Sequence, residues 1–201
     1  LFGYIFLIAA LLGVIYALHV QDTLQHVAAL VYAGSALGAI FAGDLVTLLI
    51  FWEGIALASA FLIWAARNER AFGAGMRYLI VHIGSGVLLL AGVLLHYKQT
   101  GSLAFGALGL GSPGTTLIFL AFGIKCAFPL LHNWLQDAYP ESTVTGTVFL
   151  SGFTTKVAVY ALARAFAGTE ILVPIGAAMT SFPIFYAVIE NDLRRVLAYS
   201  L

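Results

Sequence analysis

Three ionisable residues interrupt long apolar runs, and their types and places fit proton chemistry inside a membrane: Glu53, Lys125 and Lys156. Glu53 follows Leu-Val-Thr-Leu-Leu-Ile-Phe-Trp (45–52). That is about nine residues into its run, near the midplane of a bilayer at ~1.5 Å of helix per residue. Lys125 and Lys156 hold similar middle positions in their own runs. A charge at such a depth costs about 2.5–3.5 kcal/mol on insertion scales, so each of the three must face a bundle interior and find a partner or water. Burial pulls a lysine toward its neutral form, whereas a nearby carboxylate favours the charged one. A lysine held between those pulls can take up and release a proton as its partner's hold changes; an arginine could not. The same residues also fit a plainer role, with Glu53 and Lys125 as a static ion pair that fixes helix packing.

Pro129 lies four positions after Lys125. A proline offers no N–H to the helical ladder and crowds the carbonyl four residues back, here that of Lys125. A break at this point frees a backbone group beside a candidate proton carrier, as in the interrupted helices of transporters. His82 and His132 titrate in the right range to carry protons, but each fits a hydrogen-bonded packing role equally well. Ser85, Thr154 and Thr155 can line a hydrated path or bond back to helix carbonyls. Asp44 and Asp137 stand at helix edges, where caps are the default. His96 and His132 are too isolated for a metal site. With no nucleophile–base pair in view, neither a cofactor nor a catalytic centre is expected.

The elements that must position these residues are membrane spans. Of the 201 residues 62% are hydrophobic and 9% charged, and the mean hydropathy is +1.01. A soluble domain carries about 25% charged residues, so this chain cannot clothe a surface exposed to water. Seven segments are long enough to cross a hydrocarbon core, roughly 1–18, 27–42, 45–66, 78–97, 115–135, 144–166 and 171–189, with an eighth opening near Val196. The fold expected is a single all-α transmembrane bundle over 1–201, its partners being lipid and other membrane subunits. Net charge is zero and basic runs are absent, which excludes a nucleic-acid surface. Arginines gather at Arg67–Arg77 and Arg194–Arg195, which places those loops in the cytoplasm. The Gly-rich stretch 101–114 lacks the Gly-Lys-Ser/Thr ending of a phosphate loop and reads as a flexible connector. Leu1–Leu18 lacks a basic start and a cleavage site. With apolar runs at both ends, the chain reads as a piece of a longer protein.

Four of these runs carry a resemblance. Gly123-Ile-Lys-Cys-Ala-Phe-Pro-Leu-Leu-His-Asn-Trp-Leu-Gln-Asp-Ala138 is similar to the signature of the antiporter-like membrane subunits. These are the proton-pumping subunits of respiratory complex I, the large subunits of Mrp-type sodium/proton antiporters and membrane subunits of energy-converting hydrogenases. Asp44–Glu53 resembles the family's glutamate helix, Thr155–Arg164 its next lysine helix, and Asn191–Ser200 the start of a later one. The resemblance implies a Glu–Lys pair, Glu53 and Lys125, on two helices of which the second is broken, followed by Lys156 as a connecting lysine. It further implies the first of two inverted repeats, protons as cargo with sodium left open, and a bacterial inner or an organellar inner membrane. Two family prolines are replaced, by Gln136 and by Val144; neither position is a proposed carrier. A non-conducting scaffold held by a Glu53–Lys125 staple remains the rival reading.

Overall fold

The structure, a computed structural model, describes residues 1–201 as nine helices: α1 (Phe2–Ala17), α2 (Thr23–Phe41), α3 (Leu45–Trp64), α4 (Glu69–Thr100), α5 (Pro113–Lys125), α6 (Asn133–Ala138), α7 (Val144–Ala165), α8 (Leu172–Ile189) and α9 (Leu193–Tyr199). Helix accounts for 76% of the chain and strands are absent. Side-chain caps fix most helix starts. Asp44 accepts from the Val46 and Thr47 N–H groups and from the Thr47 hydroxyl. These bonds, led by the Thr47 hydroxyl, hold its carboxyl below the usual range. Ser112 and Thr115 close a capping box ahead of α5, with Pro113 in the first turn. Asn68 caps α4 through the Ala71 N–H.

Five helices (α2, α3, α4, α7 and α8) are long and apolar enough to cross a membrane, while α1 and α5 are shorter. One of the seven expected spans is interrupted, in the helix that the resemblance gave as broken. The run expected over 115–135 stops at Lys125 and resumes as α6, so α5 rises only about 20 Å. The arginine loop expected over 67–77 is mostly helix, because Asn68 caps a 32-residue α4 that starts at Glu69. At about 48 Å, α4 outreaches the hydrocarbon core. The core is built where α2, α3, α4, α5 and α7 meet, around Tyr32, Trp52, Tyr78 and Phe122. Large apolar side chains such as Ile8, Leu12, Leu94 and Phe185 point outward, as a lipid-facing or partner-facing surface requires.

The 101–114 stretch is not a loose connector. Leu45 N–H donates to the Leu103 carbonyl and Phe105 N–H to that of Gly43, while Leu108 and Gly109 both donate to the Ala165 carbonyl. Arg164 stacks its guanidinium over the Phe105 ring at 4.3 Å.

The break after Lys125 is a Schellman end. Phe128 N–H reaches back to the Gly123 carbonyl and Ala127 N–H to that of Ile124, with Ala127 in the left-handed region at φ 63°. Glycine suits that place better than alanine. Replacing Ala127 by Gly is therefore expected to stabilise the fold by about 0.5–1 kcal/mol, net of the extra chain entropy of glycine. The measurement is the thermal midpoint of the purified full-length protein in detergent; a fall would show that the alanine is not strained.

Candidate functional site

Lys125 is the last residue of α5, not the middle of a continuous span, and it is fully buried. The helix stops there because Phe128 N–H is used by Gly123 and Pro129 has none to offer. The break thus sets in four residues before Pro129, which is itself exposed. Trp134 of α6 returns to the α5 end, its indole N–H donating to the Ile124 carbonyl at 3.0 Å. Arg77 clamps α6 onto α4 through a two-pronged ion pair with Asp137, at 2.6 and 2.8 Å, so Asp137 is a clamp and not a cap.

The Lys125 ammonium does not touch a carboxylate. Nζ donates to the Trp52 carbonyl at 2.7 Å and stands 4.4 Å from the centre of the Trp52 ring, a cation–π contact. The two ion pairs of the chain are Arg67–Asp22 and Arg77–Asp137. The expected Glu53–Lys125 contact is therefore open, although each charge lies within electrostatic reach of the other. A physical reason lies across the interface. Glu53 is half-buried, and its carboxylate is laid against Gly86 of α4, where a Cβ would collide with Oε1. That oxygen is buried and accepts no hydrogen bond from a protein group.

Gly86 makes room that no other residue could. Gly86→Ala is expected to leave the helix intact, since the atom displaced is the free end of a flexible side chain. It should nonetheless drive the Glu53 carboxylate off its seat and slow transport about tenfold to a hundredfold, the usual effect of misplacing a reacting group by an ångström or more. Transport by the reconstituted full-length protein, set beside its assembly, reads this out. Wild-type transport would show that the seat is unimportant.

His82 is fully buried, and neither ring nitrogen has a protein hydrogen-bond partner. Its ring lies between Tyr78, at 4.1 Å, and Trp134, at 4.5 Å between centroids, within electrostatic reach of Lys125. His132 stands elsewhere. It is half-buried and lines, with Pro129, a cavity of about 450 Å³ between the break and α8. Lys156 is half-buried in α7, within electrostatic reach of Cys126, just past the end of α5. Glu53, His82, Lys125 and Lys156 are thus gathered around the α5 break, and His132 is set apart.

Sequence reasoning missed Trp52 as the group that holds Lys125, and Gly86 as the seat of Glu53. A backbone carbonyl leaves no mark in the residue types. Gly86 does carry a signal, since it follows His82 by one helical turn and so shares its face.

Comparison with known proteins follows the same lines. A family model described as NADH:quinone oxidoreductase/Mrp antiporter, TM, matches residues 42–201. Subunit N of the NADH-quinone oxidoreductase of Desulforudis audaxviator is 35% identical over 82% of this chain and 37% of its own length. Hydrogenase-4 component B of Escherichia coli is 29% identical over 80% of this chain and 28% of its own. A chain of respiratory complex I from Thermus thermophilus superposes with a TM-score of 0.85 at 24% identity, over 98% of this chain and 47% of that one, a likeness of fold. The chain spans about a third of the length of these curated relatives.

Proposed function

The chain belongs to the NADH:quinone oxidoreductase/Mrp antiporter transmembrane family, and from that premise we propose that it moves protons across a membrane as an antiporter-like subunit of a larger complex. The observation that carries the reading is a lysine buried completely at a helix break with no carboxylate in contact. A structural lysine at that depth would be expected to sit on its counter-ion. Lys125 instead rests on a neutral carbonyl and an aromatic face, groups that hold an ammonium and still accept from or pack against an amine.

In the proposed cycle a proton enters from the side of the Arg67–Arg77 segment, taken as cytoplasmic, and resides on Lys125. Movement of the Lys125 ammonium between Trp52 and Glu53 sets how firmly that proton is held. When Glu53 withdraws, the proton passes across the end of α5 to Lys156 and onward. The energy comes from redox chemistry in partner subunits or from exchange with sodium, in a bacterial or organellar inner membrane.

Swapping the charges, Glu53→Lys together with Lys125→Glu, separates this relay from a scaffold held by a static pair. Expected is a complex that assembles but has lost proton transport, measured with a pH-sensitive dye in proteoliposomes. Transport at the wild-type rate would sink the relay and favour the staple.

A further inference from the structure

A second buried polar group lies on the Arg67 side of Lys125 and is built around four hydroxyls, tied to the helix backbones at Ser59 and Tyr32. Tyr32 of α2 and Tyr78 of α4 both reach Thr154 of α7, their hydroxyls standing 2.5 and 3.4 Å from Thr154 Oγ1. Ser59 of α3 joins through the Tyr78 hydroxyl at 2.8 Å. Four helices thus contribute one hydroxyl each, and all four residues are wholly buried. Tyr32 also accepts the Thr154 backbone N–H at 2.8 Å, so the cluster is inserted into the α7 ladder itself.

Packing alone does not call for this arrangement. Phenylalanine and valine would fill the same volume with no polar atom to satisfy, and buried hydroxyls are kept only where each finds partners. A hydroxyl differs from those isosteres in one respect: it donates and accepts at once. A chain of them can therefore pass a proton by shifting bonds, without any member becoming an ion in the apolar interior.

The cluster lies between two further polar sites. Toward the centre, Tyr78 packs at a tilt against His82, whose two nitrogens have no protein partner and whose ring also meets Trp134, the residue bonded to the Ile124 carbonyl next to Lys125. About two turns further toward the Arg67 side along the same two helices, Thr145 of α7 bonds Gln25 of α2. Beside them is a space of about 10 Å³ that Gln25 and Thr145 help to line, at the lower limit for one water.

We propose that the hydroxyl cluster Tyr32–Thr154–Tyr78–Ser59, continued by His82, is the entry leg that delivers protons from the Arg67 side of the bundle to Lys125. It rests on the proton-relay reading of Lys125 and adds the path by which that lysine is loaded. The step is proton transfer only: each hydroxyl releases its proton to the next acceptor as it takes one from the group before, water at the two unpartnered His82 nitrogens brings the proton from Tyr78 to one of them and carries a proton from the other to the neutral Lys125 amine, and no electron pair leaves the chain of groups.

The test uses the full-length protein in its complex, reconstituted into vesicles. Thr154→Val and Tyr78→Phe remove one hydroxyl each at nearly constant volume and are expected to slow proton uptake about tenfold or more. Thr154→Ser is expected to restore what Thr154→Val loses. Thr180→Val, on an exposed hydroxyl bonded within α8, is the control for loss of a hydroxyl as such. Lys125→Met is run alongside. If it is inactive while Thr154→Val and Tyr78→Phe transport normally, the entry leg is overturned and the relay stands. If Lys125→Met itself transports, the relay reading falls first. If both hydroxyl variants fail to assemble, or Thr154→Ser is as slow as Thr154→Val, the cluster is structural and the proposal is overturned.

Discussion

Lys125→Met is expected to reduce proton transport at least about a hundredfold, the range lost when a positioned proton carrier is removed, while the complex still assembles. Methionine keeps most of the volume of the lysine stem and brings no charge into the fully buried site. Removing the ammonium also removes the burden of holding it at depth, so the bundle should be no less stable. Lys125→Arg makes the sharper comparison. Arginine preserves the charge and the cation–π contact with Trp52, and it would serve a static staple as well as lysine does. It never gives up its proton under working conditions, so a relay through this position stops. Transport by both variants, measured per assembled complex, decides the point. Activity in Lys125→Arg near the wild-type level would mean that the charge matters and its proton does not.

How much of this could be read from the residues differs from one feature to the next. The membrane bundle was legible, because a chain so poor in charge has no other way to satisfy its backbone in lipid. The break after Lys125 was legible from Pro129, but its place was not. Pro129 forbids one bond, whereas the helix end is fixed by two others, from Ala127 and Phe128 back to the α5 carbonyls, and an alanine in the left-handed region gives no warning in the sequence. Hydropathy also understated α4, since it follows contact with lipid and not the extent of helix. The Asn68 cap ahead of Glu69 was the signal for the true start.

The candidate site divides in the same way. Glu53, Lys125 and Lys156 stood out because charge in an apolar run is conspicuous. Their surroundings did not. Trp52 holds Lys125 through a carbonyl that every residue possesses, so nothing in its identity announces the bond. Thr154 reads in the sequence as able to line a hydrated path, but Tyr32 and Tyr78, far from it in the chain, read singly as ordinary members of apolar helices. Only the crossing of α2, α4 and α7 brings their hydroxyls together. His82 changed standing for the same reason: an isolated histidine in the sequence, it packs in the fold against Tyr78 of the hydroxyl cluster and against Trp134, which is bonded to the end of α5.

The second large effect is expected at Gly92, where α4 and α5 touch. A Cβ built there falls 2.8 Å from the Gly114 carbonyl oxygen, 2.9 Å from the Ile118 backbone nitrogen and 2.8 Å from Ile118 Cγ1. The obstruction is backbone, which cannot turn aside as a side chain end can. Across the seam, a Cβ on Gly114 would meet the His96 backbone nitrogen at 2.7 Å, so the two glycines allow the helices their close approach. Gly92→Val must push α5 away from α4, and overpacking of this kind costs about 1–3 kcal/mol. Because α5 carries Lys125 at its far end, the same displacement shifts the lysine relative to Trp52 and His82, so transport should fall together with stability. Gly84→Val, on the same helix with open space around its Cβ position, supplies the control: it shares the cost of placing valine in a helix but displaces nothing. Thermal midpoints and transport of the two variants give the comparison, and equal midpoints would show that the α4–α5 seam yields more easily than its backbone contacts require.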